Sequence, residues 1–160
     1  MTKTMNTNTA MEEFQQANTS QTLASGTLVG PRQVILSTIA IGIMDRDGYY
    51  HVCRALLDSG SDANFMTLEV AKYLNLELTT ICAPLMGINQ KTSIIHHRTT
   101  TNIASQYGPY EKTLEFNVMQ KVTGNIPAVN LDLDMLTDIP KDLFLADPTF
   151  HLTSKVDILL

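Results

Sequence analysis

Apolar residues alternate with small or polar residues over positions 33–44, and many of them are β-branched. This alternation predicts a β-strand. The Asp-Arg-Asp-Gly segment at 45–48 ends in an Asp-Gly pair, which is typical of a tight hairpin turn. Residues 49–57 are again largely apolar and predict the returning strand. We therefore expect the folded part of the chain to begin with a β-hairpin.

The pattern then changes to helical spacing and back to alternation. Residues 67–74 carry apolar side chains three or four positions apart, and Thr67 is placed as the N-cap of a short helix. Residues 78–105 predict a second hairpin with its tip near Gly87. Residues 111–118 alternate as a further strand. The resulting prediction is a mainly β fold with one short helix.

The two ends of the chain differ in composition. Residues 1–30 are rich in Thr, Asn, Gln and Ser and show no sustained periodicity, which predicts a flexible linker or tail. Residues 31–160 are expected to form one domain. Within it, prolines interrupt residues 120–155, and 156–160 predict a short apolar strand.

Composition excludes several classes of function. The 160 residues fit one domain with a tail, and the net charge of -5 argues against binding to a phosphate backbone. No apolar run approaches the ~20 residues that span a bilayer, and residues 1–30 lack the apolar core of a signal peptide. We expect an intracellular, cytoplasmic protein, with virus-like particles as one setting. In that compartment Cys53 and Cys82 are expected to be free thiols.

The most informative motif is an apolar strand that runs into two acidic residues separated by a hydroxyl, a glycine and a serine. It reads Leu56, Leu57, Asp58, Ser59, Gly60, Ser61 and Asp62. A buried strand that ends at Asp58 predicts a fixed, poorly hydrated carboxylate, which is useful for chemistry. Ser59 can hydrogen-bond laterally, and Gly60 lets another backbone approach closely because it has no Cβ.

This motif, together with the Ser-Asp-Ala-Asn-Phe-Met sequence that completes it, resembles the active-site loop of retroviral-type aspartic proteases (retropepsins). More narrowly, it resembles the proteases of BEL/Pao-type retrotransposons, as do the Leu-Ala-Asp-Pro-Thr-Phe sequence at 145–150 and the apolar segment 156–160. The resemblance covers residues 34–160. It implies a retropepsin-like closed β-barrel or sandwich, built as a single lobe that pairs as a two-fold homodimer.

The resemblance also implies a reaction. Aspartic proteolysis uses two carboxylates that share one proton and activate a water between them. The chain holds one Asp-Ser-Gly triplet and is too short for two lobes, so the second carboxylate is expected from Asp58 of another copy. The expected activity is an aspartic endopeptidase that processes a retrotransposon polyprotein without a cofactor. Its expected partners are a second copy of itself and polyprotein peptides, but not nucleic acid or a membrane.

Each residue of the loop has an implied role. Asp58, Ser59 and Gly60 form the expected catalytic set, in which Ser59 would hydrogen-bond across the dimer and Gly60 would offer its backbone to substrate. Asp62 would fix the loop and contact the substrate backbone. An alternative interpretation of Asp62 is a turn-stabilising aspartate that makes local hydrogen bonds.

The resemblance places further substrate contacts beyond the loop. Gly87 and Ile88 lie where the family carries its flap, a hairpin that closes over the bound peptide. Residues 89–91 depart from the glycine-rich flap tips of the family, and an ordinary exposed hairpin is the alternative. Ala63 and Ile88 are expected to line side-chain pockets for a peptide that binds as an added strand.

The remaining titratable clusters do not predict a metal site. His96 and His97 are adjacent on a strand and point to opposite faces, and the other two histidines are distant in sequence. Asp132 and Asp134 are better explained as solvated loop residues than as metal ligands.

Two other functions remain open at this point. The first is a catalytically inactive retropepsin-like domain that serves as a dimerisation or peptide-binding module. The second is a plain β-domain in which Asp-Ser-Gly occurs by chance. In the family, the strand at 156–160 continues into a glycine, a short helix and a last strand at the dimer interface. The domain is therefore expected to be truncated at its C-terminus.

Overall fold

The computed structural model describes residues 34–86, 92–136, 139–140 and 142–160. The described residues are mainly β with one short α-helix, which confirms that part of the prediction. The strands are β1 (Thr38–Met44), β2 (Tyr50–Leu56), β3 (Phe65–Thr67), β4 (Thr79–Met86), β5 (Thr92–Ser105), β6 (Glu111–Met119) and β7 (Ile158–Leu159). The helix is α1 (Leu68–Tyr73), and a 3-10 turn covers Leu133–Met135. The predicted tail at 1–30 lies outside the described residues.

Six of these strands form a closed barrel, as predicted. Their order is β1-β2-β7-β3-β6-β5, and β5 pairs back onto β1 to close it. The seventh strand, β4, is antiparallel to β5 and lies outside the closed circuit. Closure satisfies the backbone groups that an open sheet would leave at its edges.

The predicted first hairpin is confirmed as β1 and β2, which pair from Thr38 with Leu56 to Met44 with Tyr50. The turn is held by Asp45, whose Oδ1 accepts two backbone N–H groups at 2.9 Å each. Strand β1 begins later than predicted, since residues 34–37 are not strand. The reason is that β2, their partner in the hairpin, ends at Leu56.

The predicted strand at 156–160 is shorter than expected, because only Ile158 and Leu159 make ladder pairs. These two residues lie between two neighbours, parallel to β2 and antiparallel to β3. Strand β3 has three residues and was not predicted. A segment this short shows no measurable alternation.

The predicted helix is confirmed, including its cap: the Val70 N–H donates to Thr67 Oγ1 at 3.4 Å. The helix packs its buried side chains, Val70 and Ala71, into the barrel core. The core consists of buried apolar side chains from the barrel strands and the helix region. They are Ile41, Ile43, Ala55, Met66, Val70, Ala71, Leu74, Ile103, Phe116, Val118 and Ile158.

A buried ion pair fastens the irregular segment before β7 to the first hairpin. Arg54 Nε donates to Asp147 Oδ2 at 2.6 Å, and Thr38 Oγ1 donates to the same oxygen at 2.6 Å. Asp147 Oδ1 accepts from the backbone and hydroxyl of Thr149. Burial of Asp147 raises its pKa, but the hydrogen bonds from Thr38, Thr149 and Arg54 outweigh burial and lower the pKa overall.

Candidate active site

Backbone pairing on both sides fixes the position of Asp58. The Leu57 N–H donates to the Ser37 carbonyl at 2.9 Å, and the Asp58 N–H donates to the Leu160 carbonyl at 2.8 Å. The Leu160 N–H in turn donates to the Leu56 carbonyl at 2.9 Å. The chain at Asp58 is therefore held by two segments that are far from it in sequence. Sequence patterns gave no sign of Ser37 or Leu160 as positioning residues, because backbone partners leave no trace in side-chain spacing.

Charged side chains anchor the segment that carries Leu160. Lys155 Nζ lies 2.7 Å from a Glu69 oxygen and 2.8 Å from Asp157 Oδ1. Thr67 donates to Asp157 through both its backbone and its hydroxyl, at 2.9 Å each. The hydrogen bonds to Asp157 and Glu69 raise the pKa of Lys155. These contacts tie β7 to the start of the helix and so support the carbonyl that holds Asp58.

The Asp58 carboxylate has one oxygen engaged and one oxygen free. Its Oδ1 accepts the Gly60 N–H at 2.9 Å, and the Ser61 N–H donates to the Asp58 carbonyl at 3.1 Å. Within the described residues, Oδ2 has no hydrogen-bond partner. A Cβ at Gly60 would lie 3.2 Å from Oδ1, so the glycine allows this close approach. The loop thus presents an oriented carboxylate with one oxygen available.

The prediction that Asp58 is poorly hydrated is wrong for the single chain. Asp58, Ser59 and Gly60 are all exposed. The physical reason is that β2 ends at Leu56, so the carboxylate lies two residues beyond the strand and outside the core. The strand fixes the backbone of Asp58 without burying its side chain.

The other predicted loop residues fall into two groups. The Ser59 hydroxyl and the exposed Asp62 carboxylate have no hydrogen-bond partner in the part of the chain that the structure describes. The interpretation of Asp62 as a turn-stabilising residue is therefore wrong. Instead, Ser61 stabilises the turn by donating from Oγ to the Ala63 carbonyl at 2.8 Å. Ala63 is half-buried next to this bond.

The predicted second hairpin is confirmed in its arms, β4 and β5, which pair as far as Met86 with Thr92. Its predicted tip, with Gly87 and Ile88, lies outside the described residues. Their predicted role as substrate contacts therefore stays a prediction.

An apolar cavity of about 510 Å³ lies beside the loop and was not predicted. Leu57 and Leu160, which flank Asp58 in the structure, line it together with core residues such as Ile103; Asp58 does not line it. The cavity opens where the neighbour of β1 changes. Strand β5 pairs with β1 only from Ile41 to Ile43, whereas the Ala40 N–H donates to the Ala146 carbonyl at 2.9 Å. This change of neighbour along β1 depends on pairing between residues that are distant in sequence. The periodicity of apolar residues therefore does not predict the cavity.

The histidines do not form a metal centre in the described ranges. No group of three or more His, Cys, Asp or Glu side chains there is arranged to hold an ion. His51 lies 2.6 Å from Asp45 Oδ2 and makes an edge contact with Tyr73. The hydrogen bonds from Tyr49 and His51 lower the pKa of Asp45, so this pair belongs to the first hairpin turn.

Comparison of the sequence with models of known protein families gives no match. Comparison with curated proteins gives no significant match either. The relation to retropepsins therefore stays a prediction that depends on the loop motif and on the segments 145–150 and 156–160. Among the residues described, no helix combines the length and the apolar character needed to cross a bilayer.

Proposed function

We propose that the chain is a retropepsin-like aspartic endopeptidase that cleaves the polyprotein of a BEL/Pao-type retrotransposon as a homodimer. The observation that carries the proposal is the state of the Asp58 carboxylate. It is exposed, its Oδ1 is fixed by the Gly60 N–H at 2.9 Å, and its Oδ2 has no partner among the described residues. Proton transfer requires a carboxylate that is held in one orientation but keeps an oxygen that accepts no hydrogen bond from the protein.

The exposed position suits one half of a paired site. Two carboxylates in contact cannot both be ionised, so a pair of Asp58 residues from two copies would hold one shared proton. The ionised carboxylate takes a proton from the water, and the water oxygen attacks the peptide carbonyl carbon. The protonated carboxyl gives its proton to the carbonyl oxygen. Proton transfer to the amide nitrogen then breaks the C–N bond and releases an acid and an amine.

The neighbouring side chains would complete this site. The Ser59 hydroxyl, which has no hydrogen-bond partner in the described ranges, is available to hydrogen-bond across the two-fold axis and to hold the two loops at the same height. The Gly60 carbonyl and the Asp62 carboxylate, which have no partner among the described residues, are available to a bound peptide, with Ala63 beside them. Gly87 and Ile88 would close over the peptide from the flap. No cofactor takes part in this chemistry.

Peptide cleavage tests the proposal. The chain is incubated with peptides from the retrotransposon polyprotein, and the products are identified by mass spectrometry. We expect cleavage that is lost by at least about 10²-fold in Asp58→Asn, because the variant cannot act as acid or base. Asp47→Asn, which changes an exposed carboxylate in the first hairpin turn, is the matched control and should cleave normally. Undiminished cleavage by Asp58→Asn would exclude the mechanism.

The pH dependence gives a second test of the same site. One carboxyl of the pair has to stay protonated while the other is ionised, so we expect an acidic-to-neutral optimum. Activity that keeps rising into the alkaline range would contradict a shared proton.

The exposure of Asp58 in the single chain also favours a second candidate, a non-catalytic retropepsin-like module for dimerisation or peptide binding. This module would bind peptides without turnover, and Asp58→Asn would leave binding unchanged. Peptide binding by calorimetry, measured on the samples used for the cleavage assay, separates the two functions.

A further inference from the structure

The apolar cavity of about 510 Å³ lies at one end of the closed barrel. Strands β1, β5 and β6 line it directly, and Leu57, Asn64 and Leu160 line it from beside the ends of β2, β3 and β7. The registers bring these positions together, because the ends of β2 and β7 pair in parallel and β3 begins opposite the end of β7. We call this cavity the barrel mouth. Small-molecule sites occur preferentially in such places.

The wall of the barrel mouth is formed by large aliphatic side chains. They are Ile39, Ile41, Leu57, Ile103, Leu114 and Leu160. Ile41 and Ile103 are each 5% exposed and belong to the core, so the deep part of the cavity reaches the core itself. The volume falls within the range of roughly 300–1,000 Å³ that is typical of small-molecule sites. This wall favours a ligand with an aliphatic body, because burial removes the apolar surface of that body from water.

The rim of the barrel mouth carries charge of one sign. The described ranges contribute one charged side chain to the lining, Lys112, which is exposed. Lys112 shares the inward face of β6 with Leu114 and Phe116, since alternate residues of a strand point to the same side. Among the residues that the structure describes, no carboxylate forms an ion pair with Lys112. Its ammonium group is therefore available to an anion at the rim.

Two tyrosines also line the rim, in the turn between β5 and β6. Tyr107 and Tyr110 are 58% and 56% exposed. The turn is held by Ser105, whose N–H donates to the Tyr110 carbonyl at 2.9 Å and whose Oγ accepts the Tyr107 N–H at 3.1 Å. A tyrosine combines an apolar ring with a hydroxyl donor, which suits the boundary between an aliphatic body and a head group in water.

We propose that the barrel mouth binds an amphipathic anion, with its aliphatic chain in the cavity and a carboxylate head at Lys112. Charge complementarity selects this class of ligand, because a cationic head would face the like charge of Lys112. The Asp58 carboxylate does not line the cavity. The site is therefore separate from the candidate active site, and the inference does not depend on the proposed function.

Calorimetric titration of the whole chain with octanoate, decanoate and dodecanoate tests the inference, at concentrations below those at which micelles form. We expect the Kd to fall about tenfold for each added pair of methylenes, because each methylene that enters the cavity leaves water. Decyltrimethylammonium has a similar chain and the opposite head charge. It should bind about fivefold more weakly than decanoate.

Reversing the charge at the rim should reverse the preference for the head group. We expect Lys112→Glu to raise the Kd for decanoate at least about tenfold and to bind decyltrimethylammonium more tightly than decanoate. The matched control is Lys121→Glu, which makes the same charge change at an exposed lysine just beyond the opposite end of β6. It should keep the wild-type values. Urea unfolding establishes that both variants are folded, and Lys112→Gln, with an expected rise of about threefold, replaces Lys112→Glu if it is not.

Nuclear magnetic resonance locates the bound ligand. Decanoate should shift the methyl signals of Leu57, Ile103 and Leu160, which line the barrel mouth. The methyl signals of Ile94 should not move, because Ile94 lines a separate cavity of about 290 Å³ between β5 and the end of β6.

Each outcome supports or overturns the inference. The absence of binding by all three carboxylates overturns it. So does a wild-type Kd for decanoate in Lys112→Glu, binding of decyltrimethylammonium as tight as that of decanoate, or a shift at Ile94 in place of the barrel mouth. Binding that tightens with chain length and is lost in Lys112→Glu supports it, whether or not the chain cleaves peptides.

Discussion

Two aspartates of this chain, Asp147 and Asp58, lie close to the same hairpin and are used in opposite ways. Asp147 is 3% exposed, and both of its oxygens accept hydrogen bonds, from Arg54 and Thr38 on one and from Thr149 on the other. Asp58 is exposed and has one oxygen engaged. The difference shows that a carboxylate whose hydrogen-bonding capacity is filled serves the fold. Only the carboxylate with an oxygen left over is available to a reactant.

Removing the buried carboxylate should have the largest effect on stability. Asp147→Ala leaves the Arg54 guanidinium without its charged partner, although the Arg54 side chain is only 10% exposed. We expect the free energy of unfolding in urea to fall by about 3–5 kcal/mol.

Two matched variants define what is specific to Asp147. Asp58→Asn should change the free energy of unfolding by no more than about 0.5 kcal/mol, because the side chain is exposed. Glu115→Ala removes an exposed partner of Arg98 and should cost at most about 1 kcal/mol. Equal losses for Asp147→Ala and Asp58→Asn would remove the distinction between the two aspartates.

The hydrogen bond from Thr38 to Asp147 should have an intermediate effect that depends on pH. Thr38→Val removes this bond at nearly constant volume and should cost about 1–2 kcal/mol at neutral pH. The pKa of Asp147 is lowered in the folded state. Its contribution is therefore present above the unfolded pKa of about 3.9 and is lost as the pH falls through the folded pKa.

The difference between wild type and Thr38→Val should consequently shrink in acid. Urea unfolding at a series of pH values from neutral down to about 2 measures it. Thr80→Val, on the exposed side of β4, is a suitable control without a buried carboxylate. A difference that stays constant over the whole range would mean that Thr38 does not stabilise the ionised form of Asp147.

Gly60→Ala should have a small effect on stability and a larger one on the candidate site. The added Cβ would lie 3.2 Å from Asp58 Oδ1, so the carboxylate has to shift by a few tenths of an ångström. We expect the free energy of unfolding to change by about 0.5 kcal/mol or less, and peptide cleavage to fall about tenfold. Gly108→Ala, at a glycine where an added Cβ would meet no atom within 4 Å, is the control. Wild-type cleavage by Gly60→Ala would show that the orientation of Asp58 is not critical.

The two cysteines allow the same comparison between a half-buried and an exposed side chain of one residue type. The measurement here is the reactivity of the thiols, and no change in stability is expected. Cys53 is half-buried, and burial together with the nearby Asp157 raises the pKa of its thiol to about 11. Cys82 is exposed. Because the thiolate is the reactive form, iodoacetamide at mildly alkaline pH should label Cys82 first and leave Cys53 unmodified in the folded chain. Peptide mapping checks this, with the urea-unfolded chain as the control in which both react.

Local sequence predicts those parts of the fold that depend on neighbours in sequence. The first hairpin, the Thr67 cap and the arms of the second hairpin all follow from alternation, turn residues and spacing. Strand β3 was missed because its three residues carry no period, and residues 34–37 were overpredicted because their apolar character does not reveal where the partner strand ends. Whether an apolar segment pairs as a strand depends on the arrangement of all the strands in the sheet.

Some features of the candidate site follow from local sequence, and others depend on residues that are distant in sequence. The motif located Asp58 and Gly60, and the structure brings them into hydrogen-bond contact at 2.9 Å. It did not reveal that Asp58 is exposed, nor that Ser61 supports the turn while the Asp62 side chain has no partner among the described residues. The Arg54–Asp147 pair, which joins positions 93 residues apart, was not recognised, since no local pattern relates such distant residues.

The parallel pairing of β7 with β2 sets the order in which the loop can become structured. The Asp58 amide is held by a carbonyl that lies about a hundred residues further along the chain, and contacts of that sequence separation form late because a long loop must close first. A nascent chain can complete the first hairpin early, yet its Asp58 amide should stay open to hydrogen exchange until β7 inserts between β2 and β3. The loop that carries Asp58 would then reach its final position in a single late step, when most of the barrel has already assembled.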